Sequence, residues 1–245
     1  MGMGMEFREA LAAGMRAMGL PLSAEVEEAF DLYRALLLEE NAKVNLTTIT
    51  QPVEMAAKHF CDSLGYFLLE PVGRGLRIAD VGTGAGFPGL VLKLYDPSLR
   101  VTLIEAVGKK TSFLEKVVGR LGLKDVEVVK ARAEEVGRQA GRRESFDLVV
   151  ARAVAEVRVL AEYCLPLARV EGGFLAYKGG EGMEEVVGAA HALRVLGGTV
   201  ERSKRFSLPF GMGERTLILF RKIRPTPENY PRRPGIPEKR PLAND

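Results

Sequence analysis

Asp80-Val81-Gly82-Thr83-Gly84-Ala85-Gly86 lies at the end of a short apolar run, and residues 81–92 hold no Asp, Glu, Lys or Arg. Glycines at this spacing serve where a backbone must turn with positive φ or let a ligand approach closely, and the helix start that follows offers free N–H groups. Two ligand classes use that arrangement. Gly84-x-Gly86-x-x-Gly89 satisfies a dinucleotide fingerprint, and Glu105, 21 residues beyond Gly84, stands where a ribose-binding acid belongs. An NAD-binding oxidoreductase is therefore one reading. S-adenosyl-L-methionine is the other, and three details favour it. Asp80 at the strand tip can receive a methionine ammonium but would repel a pyrophosphate. Ala133-Glu134 follows the third apolar run, where a backbone amide and an acid can read adenine. No Tyr-x-x-x-Lys dyad for hydride transfer accompanies the loop.

The methyl acceptor is constrained by what is missing. An exocyclic amine calls for a polar-Pro-Pro-aromatic clamp after the fourth strand, where this chain reads Val150-Ala151-Arg152-Ala153. Carbon 5 of a pyrimidine needs a cysteine nucleophile, and Cys164 falls inside an expected helix. A guanine N7 already presents a lone pair, so the protein need only orient the base and manage charge. Arg152 suits the O6/N7 edge of guanine or a phosphate, although a plain salt bridge would also account for it. His59, Asp62 and Ser63, at i, i+3 and i+4, share one face of a regular helix. They are either a site or a buried polar cluster.

These residues must be positioned by alternating elements. Strands are expected at 76–81, 101–105, 126–130, 146–151, 173–178, 199–206 and 215–221. Helices are expected at 89–95, 109–121, 133–139, 155–168 and 182–196. Such alternation implies an α/β fold with a doubly wound, mainly parallel seven-stranded sheet that binds ligands at the strands' C-terminal ends. The last two strands, joined only by Leu208-Pro209-Phe210-Gly211, should pair antiparallel. Ahead of them Phe7, Leu11 and Met15, then Val26, Phe30, Tyr33 and Leu37, mark two helical faces. Ser23 marks a helix start, and Pro52 opens a third helix to about residue 69, ended by Pro71 and Gly73. The expected organisation is a helical cap over 1–73, a methyltransferase domain over 74–223 and a basic, Pro-rich arm over 224–245.

The chain has 245 residues, 47% apolar and 27% charged, enough to build a core without staples. No run is apolar enough for a transmembrane helix, and Glu6, Arg8 and Glu9 interrupt any signal sequence, so a cytoplasmic protein without membrane contact is expected. Cys61 and Cys164 form no metal-ligand pattern, and two histidines exclude a histidine-rich centre. Residues 224–240 carry five Lys/Arg against two acids, the whole of the net charge of +3. A polyanion-binding arm and a tail packed on the surface both fit this composition. A non-catalytic RNA-binding protein that keeps a cofactor fold is a further reading.

Several stretches taken together resemble the RsmG (GidB) family of bacterial 16S rRNA guanine-N7 methyltransferases over about residues 30–220. They are Asn41-x-x-x-Asn45-Leu46-Thr47, His59-x-x-Asp62-Ser63-Leu64, Asp80-x-Gly82-x-Gly84-x-Gly86-Phe87-Pro88-Gly89, Glu105-x-x-x-Lys109-Lys110, Arg132-Ala133-Glu134, Asp147-x-x-x-x-Arg152-Ala153 and Lys178-Gly179. The resemblance implies a monomeric enzyme that acts on 16S rRNA or the small ribosomal subunit, at guanine 527 in standard rRNA numbering. It implies that Asn45, His59, Asp62, Ser63, Arg152 and Lys178 lie near the guanine. Around the cofactor, motif and resemblance together assemble Asp80, Gly82, Gly84, Gly86, Phe87, Glu105, Ala106, Ala133, Glu134 and Arg152. No metal is expected.

Overall fold

The computed structural model describes residues 5–70 and 75–242 and contains a seven-stranded sheet in the order β3-β2-β1-β4-β5-β7-β6. The strands are β1 (Arg77–Val81), β2 (Arg100–Glu105), β3 (Val126–Lys130), β4 (Phe146–Arg152), β5 (Ala168–Gly179), β6 (Gly198–Ser207) and β7 (Glu214–Lys222). The first five run parallel, and β7 pairs antiparallel with both β5 and β6. Most central strands are short unbroken apolar runs because both faces are covered. The order reverses between β1 and β4, which opens a crevice at the C-terminal ends of these two strands.

One face is covered by α1 (Phe7–Ala17), α2 (Ala24–Asn41), α5 (Gly89–Tyr95), α6 (Gly108–Arg120) and the helical stretch between α2 and β1. That stretch comprises α3 (Pro52–Met55), a π-helical turn (Ala56–Cys61), α4 (Asp62–Leu64) and a 3-10 turn (Gly65–Leu68). Phe7, Leu11, Phe30, Tyr33 and Phe60 from these helices share one core with Leu103, Val150, Leu175 and Leu219 of the sheet. Ser23 caps α2, its hydroxyl accepting from the Val26 amide at 3.3 Å. Pro71 and Gly73, expected to end the third helix, lie outside the described residues.

The other face carries α7 (Ala133–Val136), α8 (Val157–Cys164), α9 (Gly182–Gly188), α10 (Ala190–Leu196) and α11 (Ile236–Lys239). Three expectations are corrected here. The helix expected over 182–196 divides after Gly188, a poor helix former. Those expected over 133–139 and 155–168 are shorter than their apolar spacing suggested. Residues 224–242 pack on the surface, as one of the two readings of the basic tail has it. The Arg143 guanidinium donates to the carbonyls of Thr226 and Tyr230, each at 2.7 Å. Lys222, fully buried, donates to Glu144 at 2.8 Å, and the same carboxylate accepts from the Thr226 amide at 2.7 Å.

Candidate functional site: two cavities meeting at Ala153

The glycine loop leaves β1 with Gly82, Gly84 and Gly86 at φ of 67°, 62° and 104°, values that carry a steric cost for other residues. A Cβ on Gly82 would meet Val154 at 2.8 Å, and one on Gly86 would meet Leu90 and the Tyr33 hydroxyl at 2.5 Å. A Cβ on Gly84 would meet only the Gly82 carbonyl oxygen, at 4.0 Å. Asp80 holds the loop from beneath. It is fully buried and accepts from the Thr83 hydroxyl at 2.6 Å and the Gly89 amide at 2.8 Å, while its Oδ1 has no partner. Burial pushes this carboxyl up to about 6, against the pull of those two bonds and of Arg152. Glu105, at the end of β2, accepts from the Gly84 amide at 3.0 Å and the Val107 amide at 2.8 Å, so its carboxylate ties the loop to the neighbouring strand.

A cavity of about 280 Å³ opens beside this loop. Gly82, Glu105, Ala106, Ala133 and Glu134 line it as the sequence led one to expect, joined by Lys110, Arg132, Tyr163 and Glu238. The residues fit an adenosylated amino acid. Carboxylates at the end of β2 (Glu105) and in the first turn of α7 (Glu134) offer acceptors to ribose hydroxyls and an exocyclic amine, and each retains unused lone pairs. Asp80, Gly84 and Gly86, also expected at the cofactor, do not line this cavity: Asp80 is fully buried beneath the loop, with its Oδ1 unpartnered, and supports the loop that forms one wall.

A second cavity, about 410 Å³, is lined by Ile49, Lys58, His59, Asp62, Arg152, Tyr177, Lys178, Glu185 and Arg215. Ala153 belongs to the walls of both cavities and adopts φ of 55°, a strained value for a residue with a Cβ. Arg152 Nη1 donates to the Lys58 carbonyl at 3.0 Å and to Asp62 at 3.2 Å. Its guanidinium carbon also sits 5.2 Å from the Phe87 ring centre. Arg215 Nε reaches the same Asp62 oxygen at 3.2 Å, so one buried carboxylate holds two guanidinium groups. Lys178 bridges to Glu185 at 2.8 Å and donates to the Ala155 carbonyl at 2.9 Å.

His59 stacks on Phe87 at 4.5 Å and shares a 2.9 Å hydrogen bond with Thr47, leaving its Nδ1 buried and unpaired. Burial, helped by the nearby Arg152 charge, pushes it down to about 3, so the ring is neutral near pH 7. Phe87 stacks in turn on Tyr33 at 5.2 Å and lies beneath the second cavity without lining either.

Like Phe87, the expected residues Ser63 and Asn45 line neither cavity, and Arg152 lines only one of the two expected for it. Ser63 is fully buried and donates to the His59 carbonyl at 2.6 Å, the back-bond to the carbonyl four residues earlier in a helix, and it does not line the cavity. Asn45 is exposed on the 42–50 loop and lines neither cavity. Arg152 lines the second cavity only, meeting the first through Ala153. Sequence reasoning missed Arg215, Glu185, Tyr33 and Tyr163, which carry no local motif. Asn41 gave a signal that went unused: its Oδ1 accepts from the amides of Leu46 and Thr47 at 2.7 and 2.9 Å and so shapes the loop that holds His59.

Known proteins share this architecture. A Thermotoga maritima protein described as a SAM-dependent O-methyltransferase superposes with a TM-score of 0.52, at 16% identity over 78% of this chain and 73% of its own, and so shares the fold. The Pelotomaculum thermopropionicum protein named ribosomal RNA small subunit methyltransferase G is 50% identical over 96% of this chain and 98% of its own length. That of Moorella thermoacetica, with the same name, is 47% identical over 95% and 97%. The family model described as rRNA small subunit methyltransferase G matches residues 26–217. With near-complete relatives at such identity, the chain belongs to the rRNA small subunit methyltransferase G family.

Proposed function

We propose that this protein transfers the methyl group of S-adenosyl-L-methionine to N7 of a guanine in 16S rRNA. The carrying observation is the meeting of the two cavities at Ala153, beside a glycine loop at the sheet's switch point. In the first cavity Gly82, Glu105, Ala106, Ala133 and Glu134 would hold the cofactor, with Asp80, Gly84 and Gly86 shaping the loop beside it. When bound, the cofactor supplies an electrophilic methyl group on a sulfonium.

The second cavity orients the base. Arg152 spends Nη1 on the chain's own carbonyls and Asp62, and its other N–H groups have no bond among the described residues. They are free to donate to guanine O6 or a phosphate, leaving N7 unbonded for attack. Lys178 and Arg215 offer further cationic contacts to a polyanion, and His59, backed by the stacked Phe87, forms part of the wall. The Asp62 carboxylate offsets the positive charge that the base acquires. No general base is required, and His59, neutral and stacked, is a packing group. A cysteine route is disfavoured because Cys61 and Cys164 are both buried, the Cys61 thiol being pushed up to about 12 by burial.

In this reading Ile49, Lys58, His59 and Asp62 of the N-terminal cap wall the guanine cavity, the domain over 74–223 provides the cofactor fold, and the enzyme acts in the cytoplasm as a monomer. No helix among the described residues is long and apolar enough to cross a membrane. The test is nucleoside mass spectrometry after incubating unmodified rRNA with the protein and cofactor, followed by cleavage mapping at 7-methylguanine. Product at guanine 527 is expected, and label on an exocyclic amine or on cytosine C5 would overturn the N7 assignment.

A further inference from the structure

Residues 226–240 carry much of the chain's excess basic charge, yet the structure folds them against the cofactor cavity. Three anchors hold them there. Arg232 grips Glu162, a side chain buried to 1% exposure, with Nε at 2.8 Å from Oε1 and Nη2 at 2.6 Å from Oε2, while the Arg232 amide donates to the same Oε1 at 2.8 Å. The Gly235 amide donates to Glu134 Oε1 at 2.9 Å. Pro231 seats over Gly137, where an added Cβ would meet it at 3.0 Å. These contacts bring the short α11 to the cavity mouth, and Glu238 from it lines the same wall as Glu134 and Tyr163. The Tyr163 phenol is pushed up to about 12, first by burial and then by the Glu134 and Glu238 charges.

We propose that this segment is a built-in strap that completes the adenosine side of the cofactor cavity, with Glu238 contacting the adenosine donors and Arg232 acting as its positioning residue. The proposal rests on the assignment of this cavity to S-adenosyl-L-methionine. The chemistry is complementary: ribose hydroxyls and an exocyclic amine are donors, and a carboxylate only accepts. A bidentate buried guanidinium–carboxylate pair fixes backbone more firmly than an exposed single contact does. Arg233, Lys239 and Arg240 remain exposed, and an RNA contact through them is the outcome the test must separate.

Calorimetric titration of S-adenosyl-L-methionine and S-adenosylhomocysteine into the full chain, Glu238→Ala and Arg232→Ala decides the matter. Both ligands should weaken by the same factor, about threefold for Glu238→Ala and about tenfold for Arg232→Ala, since the contact is to the half they share. Neutralising Arg233, Lys239 and Arg240 together should leave cofactor affinity at the wild-type value. Glu238 is exposed and breaks no buried pair when truncated, so it decides even if Arg232→Ala does not fold. Cofactor affinity unchanged in Glu238→Ala, with RNA binding in the triple variant losing its salt dependence, would overturn the strap. Failure of the wild-type chain to bind either ligand would instead overturn the cofactor assignment.

Discussion

The two cavities that share Ala153 are built by opposite means. The first is a backbone structure: glycines at positive φ, with strand-end carboxylates that accept from main-chain amides. The second is a side-chain structure, in which Arg152, Arg215 and Asp62 hold one another from three distant segments and Lys178 leans on Glu185. A backbone cradle tolerates changes in side-chain identity but not an added Cβ. A side-chain cage is the reverse, because removing any member leaves a buried partner exposed to the full desolvation penalty.

Breaking the cage should have the largest effect. Arg152→Ala is expected to cut turnover by ~10²-fold or more, as loss of a charge-positioning group commonly does. Cofactor affinity, read by calorimetry, should move by no more than about threefold. An equal loss in both would mean that the cavities do not act separately. Breaking the cradle comes next. Gly84→Asp forces a side chain into φ of 62° and sets a carboxylate beside Glu105, so the cofactor should bind about tenfold more weakly or worse.

A smaller and sharper contrast lies in stability against pH. Asp80, beneath the cradle, has its pKa raised from 3.8 to about 6, so the folded chain holds a proton there that the unfolded chain has lost. Its contribution therefore falls as pH rises from about 4 to 6. His59, in the cage, has its pKa lowered from 6.5 to about 3, and the unfolded chain holds the extra proton. Its contribution is lost as pH falls below about 6.5. Denaturant midpoints measured from pH 4 to 8 should show Asp80→Asn removing the first slope and His59→Asn the second. If the two variants have parallel profiles, the opposite burial effects are wrong. The smallest effect on activity belongs to Cys164→Ser. Turnover should be unchanged, although an unpaired hydroxyl in a fully buried site should cost roughly 1–3 kcal/mol of stability by denaturant titration.

The same contrast explains what could be read from the chain. The sheet was legible because strands buried on both faces are short apolar runs, and the missing helix between β6 and β7 announced their antiparallel pairing. The cradle was legible because glycine spacing is local. The cage was legible only in part. His59, Asp62 and Arg152 stood out by type, but Arg215 and Glu185 reach the cavity through tertiary packing that no spacing encodes. Ser63 misled because helical spacing gives a shared face but not the hydroxyl's bond back to the carbonyl four residues earlier. The basic tail was legible in composition and not in contact, since nothing local pairs Arg232 with Glu162 or Gly235 with Glu134.

The Phe87 ring, stacked on Tyr33 on one hand and His59 on the other, has a consequence for how the molecule comes apart. Tyr33 also donates its hydroxyl to the Ala85 carbonyl, so the second helix of the chain is hydrogen-bonded to the glycine loop itself. Peeling the leading helices away would strip a ring stack and a buried hydroxyl from that loop and expose Phe30, Phe60 and the adjoining sheet surface together. Partial unfolding from the N-terminal side therefore has no sheltered intermediate in which the cofactor cradle survives alone. The expected outcome is loss of cofactor binding together with the leading helices, read as coincident melting of the two by calorimetry and cofactor titration.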